Sequence, residues 1–168
     1  TATGSGDAAT FNDSEGVLML EVSYVDETSY KAISISDGTL ANSIRIYTSL
    51  TDNELVFRVR VNNADQILRI VTLNNLLELN KVSLKYKEND FNIFVNGFLA
   101  ETDTSGSTYI ADTLNRLNFN RYDGSDIFYG KTKQIQYFDS ALTDAQLETL
   151  TSWITFQSMV AAQLYTIY

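Results

Sequence analysis

Apolar and polar side chains alternate along most of this chain, and turn residues interrupt the alternation about every 8–12 positions. A strand sends successive side chains to opposite faces, so this pattern calls for half-buried strands rather than helices. Val17 to Val25 puts Leu18, Leu20, Val22 and Tyr24 on one face. Glu54 to Val61 is the clearest case, with Leu55, Phe57, Val59 and Val61 on one side and Val56, Arg58 and Arg60 on the other. Tyr30 to Ser36, Ser43 to Thr48, Gln66 to Thr72 and residues 81–87 repeat the pattern. Ser36-Asp37-Gly38, Thr51-Asp52-Asn53, the loop Asn62-Asn63-Ala64-Asp65 and Lys87-Glu88-Asn89-Asp90 punctuate it. Phe91 to Val95, Asn96-Gly97 and Phe98-Leu99 give the strongest hairpin signal, because a type I′ turn wants φ > 0 at both central residues. Further strands are expected at Leu114 to Asn120 and Ile127 to Tyr137. The rhythm predicts an all-β fold, a sandwich or a jelly roll.

One short C-terminal helix completes it. Thr143-Asp144-Ala145-Gln146 is a capping box, Leu142 and Leu147 form a hydrophobic staple, and Asp144 complements the positive end of the helix dipole. The organisation reads as a linker or irregular lead-in at 1–14, the sandwich at 15–152 and an apolar tail at 153–168 that carries no charge. Such a tail needs a surface to cover, either on the sandwich or on another subunit; the second choice makes a homo-oligomer, a trimer. The start has neither an initiator Met nor a signal-peptide pattern, so a fragment or processed piece is expected.

Composition removes function classes. The 168 residues contain no Cys, no His and no Pro, where average usage would supply about eight prolines. Ser-His-Asp and Cys-His catalysis, disulfide scaffolds and imidazole- or thiolate-ligated metals are therefore excluded. Acidic residues outnumber basic ones 21 to 12, for a net charge of −9, which disfavours nucleic acid and anionic membrane as partners. No apolar run is long enough for a membrane-spanning helix, so no membrane insertion is expected.

Three segments carry a family resemblance. Val82-Ser83-Leu84-Lys85-Tyr86-Lys87, a turn and Phe91 to Leu99 resemble the central hairpin of the concanavalin A-like lectin/glucanase superfamily, in its laminin-G-like and pentraxin-like branches. Phe128-Tyr129-Gly130-Lys131 to Gln136-Tyr137-Phe138 resembles that group's penultimate strand. Ser140 to Leu147 resembles the helical cap that follows it. The likeness covers roughly residues 15 to 150. Acidic and free of cysteine, the chain looks most like modules of bacteriophage fibres and other virion proteins. The resemblance implies an antiparallel two-sheet jelly-roll β-sandwich, a carbohydrate-facing role in a virion or extracellular setting, and a bound Ca²⁺.

Candidate site residues follow from chemistry. Sugars stack an apolar face on an aromatic ring while polar groups fix their hydroxyls. Tyr47, Tyr109, Tyr122 and Tyr129 lie in loops or beside turns, with Asn120 and Arg121 adjacent, and Asn118 to Tyr129 is the richest segment. Arg58 and Arg60 share a strand face; with Arg69 and Lys85 on neighbouring strands they would form a basic strip for an acidic glycan, or else a solvated sheet face. Asp123 and Asp126 are the first choice for a cation, with Asp13-Ser14-Glu15 and Asp139 as others. Laminarinase-like members of the superfamily place catalytic carboxylates as E-x-D-x-x-E. Glu88-Asn89-Asp90 and Glu101-Thr102-Asp103 begin that pattern at expected turns, but Ile93 and Gly106 fail to finish it. Asn12-Asp13-Ser14 matches a glycosylation acceptor by chance. The expected function is a non-enzymatic module that recognises a glycan or a host-surface polysaccharide. The alternative is a structural oligomerisation or decoration domain of a virion fibre without a ligand pocket, and a glycoside hydrolase ranks third.

Overall fold

The computed structural model describes residues 6–153. Ten strands and one helix follow in chain order: β1 (Glu15–Tyr24), β2 (Ala32–Ser36), β3 (Ser43–Thr48), β4 (Glu54–Val61), β5 (Ala64–Thr72), β6 (Asn80–Lys87), β7 (Phe91–Val95), β8 (Phe98–Asp103), β9 (Arg116–Asn118), β10 (Gly130–Phe138) and α1 (Asp144–Thr151). They form two five-stranded sheets, ordered β10-β1-β6-β7-β8 and β5-β4-β3-β2-β9, and all pairings are antiparallel. This is the all-β sandwich expected from the alternation, in the two-sheet jelly-roll form that the resemblance implies. Apart from Trp153, the expected apolar tail lies outside the described residues. No described helix is long and apolar enough to cross a membrane.

The core is the alternation made solid. Leu18, Leu20, Val22 and Tyr24 of β1 meet Ile33, Ile35, Ile44, Ile46, Leu55, Phe57, Val59 and Val61 of the facing sheet. Phe11 is 5% exposed and packs edge-on against Tyr137, 5.0 Å between centroids, so the lead-in before β1 docks into the sandwich. Asp13 fixes it further, accepting the backbone N–H of Leu114 at 2.8 Å and of Thr113 at 3.1 Å. A smaller cluster of Val17, Phe94 and Leu147 seats α1 on the outer face of the β1–β6–β7 sheet. Thr143 caps that helix by the expected capping box.

Turn chemistry corrects three boundaries. Asn96 and Gly97 take φ of 50° and 89°, as the hairpin signal requires. Asn62 and Asn63 do the same at 48° and 67°, so the loop is two residues long and Ala64 and Asp65 already belong to β5. Asparagine tolerates the left-handed region well enough to make this turn without glycine. β9 keeps only three of the expected seven residues, because beyond Asn118 the chain leaves the ladder for a turn held by Arg121 and Ser125. β10 starts at Gly130 rather than Ile127. A Cβ at Gly130 would lie 2.0 Å from the Ser23 carbonyl oxygen, so strand pairing begins at the residue that permits this approach.

Candidate functional site

The outer face of the β5-β4-β3-β2-β9 sheet carries the site. Register places three cross-strand rows on it. The first runs Asn118, Ser34, Arg45, Arg58 and Leu68; the second runs Ala32, Tyr47, Val56 and Ile70; the third runs Arg116, Ser36, Ser43, Arg60 and Asp65. The β2–β3 and β3–β4 hairpins thus align Arg45 and Arg58 on neighbouring strands, beside Tyr47, Val56, Leu68 and Ile70. Residues 121–126 bring Arg121 and Asp126 to the same place. The result is a pocket of about 370 Å³, within the range of small-molecule sites.

Arg45 is its floor and its anomaly. The residue is 4% exposed, and its Nε is buried without a hydrogen-bond partner. Among the described residues no carboxylate forms an ion pair with it. Its guanidinium carbon sits 4.9 Å from the Tyr47 ring centroid and 5.9 Å from that of Tyr122. Burial pulls its pKa down, and the charges of Arg58 and Arg121 add to this while the two tyrosines oppose it. Two further donors on this face, Ser43 Oγ and Arg60 Nε, are also buried without a hydrogen-bond partner, although Arg60 Nε stands 3.9 Å from the Asp65 carboxylate.

The other cations are anchored. Asp65 accepts from Arg58 Nε at 2.6 Å and Nη2 at 2.9 Å, leaving Nη1 unclaimed by that pair. Burial lowers the Arg58 pKa, but the Asp65 bonds and charge outweigh this and the net shift is upward. Arg121 pairs with Asp123 at 2.8 Å and Asp126 at 3.3 Å, and the Asp123 bonds raise its pKa.

The expected residues distribute unevenly. Tyr47, Arg58 and Arg121 line the pocket. Tyr122 lies between Arg45 and Arg121, the latter 5.5 Å from its ring. Asn120 contributes its carbonyl, which accepts from Ser34 Oγ at 2.7 Å. Tyr129 is 61% exposed and lines a neighbouring cleft. Tyr109 is buried in the core beside Tyr86. Two members of the expected basic strip are elsewhere. Arg69 pairs across from Phe57, so it points off the opposite side of its sheet and binds Asp103 at 2.9 Å; Lys85 is on the other sheet, 2.6 Å from Asp90. Arg45 and Tyr30, which complete the pocket, were not expected. A hairpin centred on Thr51 and Asp52 puts residue 45 opposite 58, so the sequence did hold the signal for Arg45.

The acidic residues expected to hold a cation are engaged by other groups. Asp123 is held by Arg121 and by the Ser125 hydroxyl at 2.7 Å, and Arg121 holds its pKa well below the usual carboxylate range, with Ser125 adding to this. Asp126 pairs with the same guanidinium. Asp13 spends its carboxylate on two backbone amides. Among the described residues no group of three or more Asp or Glu converges on one point. Glu101 and Asp103 lie within β8, not at a turn, and both face Arg69. Asn12 donates to the Asp139 carbonyl at 2.6 Å.

No protein-family model and no curated protein matches the chain. Solved structures do. The CBM40 module of the Ruminococcus gnavus IT-sialidase, bound to α2,3 sialyllactose, superposes with a TM-score of 0.67 at 17% identity, over 89% of this chain and 93% of that one. The fold is the concanavalin A-like jelly roll. A pentraxin of Limulus polyphemus gives a TM-score of 0.61 at 15% identity, over 82% of this chain and 70% of its own. A botulinum neurotoxin type C structure concerned with two ganglioside molecules gives 0.59 at 15% identity, over 86% of this chain and 36% of its own. Part of a leech intramolecular trans-sialidase shares the frame as well, and this chain covers 26% of it.

Proposed function

We propose that the outer face of β2 to β5 is a carbohydrate-recognition surface that takes an acidic sugar by its carboxylate and does not turn it over. Arg45 carries this reading. A buried guanidinium without an acidic partner costs several kcal/mol of desolvation. A ligand carboxylate over Arg45 supplies the missing partner, and the neighbouring Arg58 adds a second donor. Tyr47 and Tyr30, 6.2 Å apart and edge-to-face, offer ring surface for an apolar sugar face. The one carboxylate lining the pocket, Asp126, is tied to Arg121, whereas glycoside hydrolysis uses two carboxyl groups flanking the bond. The sialyllactose in the CBM40 neighbour is an acidic glycan, which supports the reading. The setting proposed for the module is a virion fibre or another extracellular surface, with copies joined through the tail.

The test is calorimetric titration of the full chain with 3′-sialyllactose and with lactose. The wild type binds the acidic sugar and not the neutral one. Arg45→Gln weakens that binding at least about tenfold, since a charge-assisted hydrogen bond is worth about 1.5–3 kcal/mol. Equal binding of both sugars, or an Arg45→Gln variant that binds as the wild type does, overturns the proposal.

A further inference from the structure

A second cleft adjoins the arginine pocket. Its volume is about 510 Å³, and Ser29, Tyr30, Leu50, Asp126, Ile127 and Tyr129 line it. Tyr30 and Asp126 also line the arginine pocket, so the two cavities share a wall and form one trough. Their chemistry differs. The first holds three arginines, while no Lys or Arg lines the second. Leu50, Ile127 and Tyr129 are 57%, 53% and 61% exposed, a concentration of apolar side chains at one rim of an otherwise strongly acidic chain. They come from separate segments, the β3–β4 turn and the stretch before β10. The polypeptide brings them together beside hydroxyl and carboxylate acceptors.

We infer that this cleft is a second sugar subsite, which takes a neutral hexose unit glycosidically linked to the acidic unit held over Arg45 and Arg58. The inference rests on the proposed function and adds to it that the ligand is an oligosaccharide. A neutral unit is required because no Lys or Arg lines the cleft to receive a second negative charge, and Arg121 across the shared wall is already taken by Asp123 and Asp126. The apolar face of a hexose covers Tyr129 and Ile127, and its hydroxyls reach Ser29 and Asp126. Continuity through Tyr30 sets the two units next to each other, as in a disaccharide.

Calorimetry on the full chain separates the two claims, with the methyl glycoside of sialic acid as the one-unit probe and 3′-sialyllactose as the extended one. The wild type binds the extended probe more tightly, and Tyr129→Ala removes this advantage, lowering affinity for sialyllactose about 5- to 30-fold while leaving the one-unit probe within twofold. Ile127→Ser, at an exposed position, gives a smaller loss of the same kind and guards against a folding artefact at position 129. If Tyr129→Ala leaves the affinity ratio of the two probes unchanged while Arg45→Gln still abolishes binding of both, the second subsite is wrong and the first stands. If neither probe binds the wild type, both are wrong.

Discussion

Arg45→Met sharpens the claim that the site is built around an unsatisfied charge, because it predicts gained stability together with lost binding. Methionine matches the length of the arginine stem and can lie against Tyr47 and Val56, which is 6% exposed. The substitution deletes a cation that is 4% exposed, has no ion pair among the described residues and faces two like charges, Arg58 and Arg121. Desolvation of such an ion costs several kcal/mol, and even replacing a buried ion pair, whose charges compensate each other, by apolar residues gains about 1–4 kcal/mol where it is stabilising. The cation–π contacts to Tyr47 and Tyr122, at 4.9 and 5.9 Å, return about 1–2 kcal/mol together. Together these ranges run from a loss of about 1 to a gain of about 3 kcal/mol, centred on a gain of about 1 kcal/mol. At this chain length a gain of about 1 kcal/mol raises Tm by about 2–4 °C. Thermal and urea unfolding of the full chain measure it, with an unchanged urea slope showing that the denatured state is not what moved. An Arg45→Met variant less stable than wild type by more than about 1 kcal/mol would refute the reasoning. It would mean that the guanidinium is already satisfied in the free protein.

Two further outcomes test the frame around the site. Lys31 is 1% exposed and donates to Asp26 at 2.6 Å, a bond that lowers the Asp26 pKa from 3.8 to about 2, with Thr28 adding to it. A depressed folded pKa contributes stability that is complete above the unfolded value and is lost as pH falls through the folded one. The Tm gap between wild type and Asp26→Asn should therefore be constant above pH 5 and close between about pH 4 and 2; a gap independent of pH in that window would remove the ion pair from the account. Asp13→Ala strips the acceptors from the Thr113 and Leu114 amides and should cost about 2–4 kcal/mol in urea unfolding, while sialyllactose affinity at the distant arginine pocket stays within twofold.

Much of the architecture was legible because its cause is local. Alternation in β1 and β4 set which residues meet between the sheets, and the capping box at Thr143 set where α1 starts. What failed was non-local. Arg69 lies two strand residues from Ile67, yet a bulge at Val59 and Arg60 shifts the register of β5 against β4, and the side chain leaves the face that Arg58 occupies. Lys85 shares a pattern with the arginines, but sheet membership depends on a pairing between β1 and β6, more than sixty residues apart. Tyr109 reads as a loop tyrosine and is one, yet its loop folds over the sandwich and buries the ring against Tyr86. The 118–129 segment was recognisable by chemistry because its members act through neighbours in sequence. Arg45 was obscured by its apolar strand, the environment that now makes it informative.

The helix sits on the layer opposite the arginines. Leu147 seats it over Val17 and Phe94, and at its end Lys81 Nζ holds the Ser152 carbonyl at 2.9 Å and stands 5.0 Å from the Trp153 ring. Residue 153 thus lies at the back of the sandwich, away from the trough. If the trough binds sugar as proposed, a copy held from that side would present it outward, and several copies so held would meet a glycan-bearing surface at an effective concentration set by their spacing, so that weak single contacts would add up with no added contact in any one pocket.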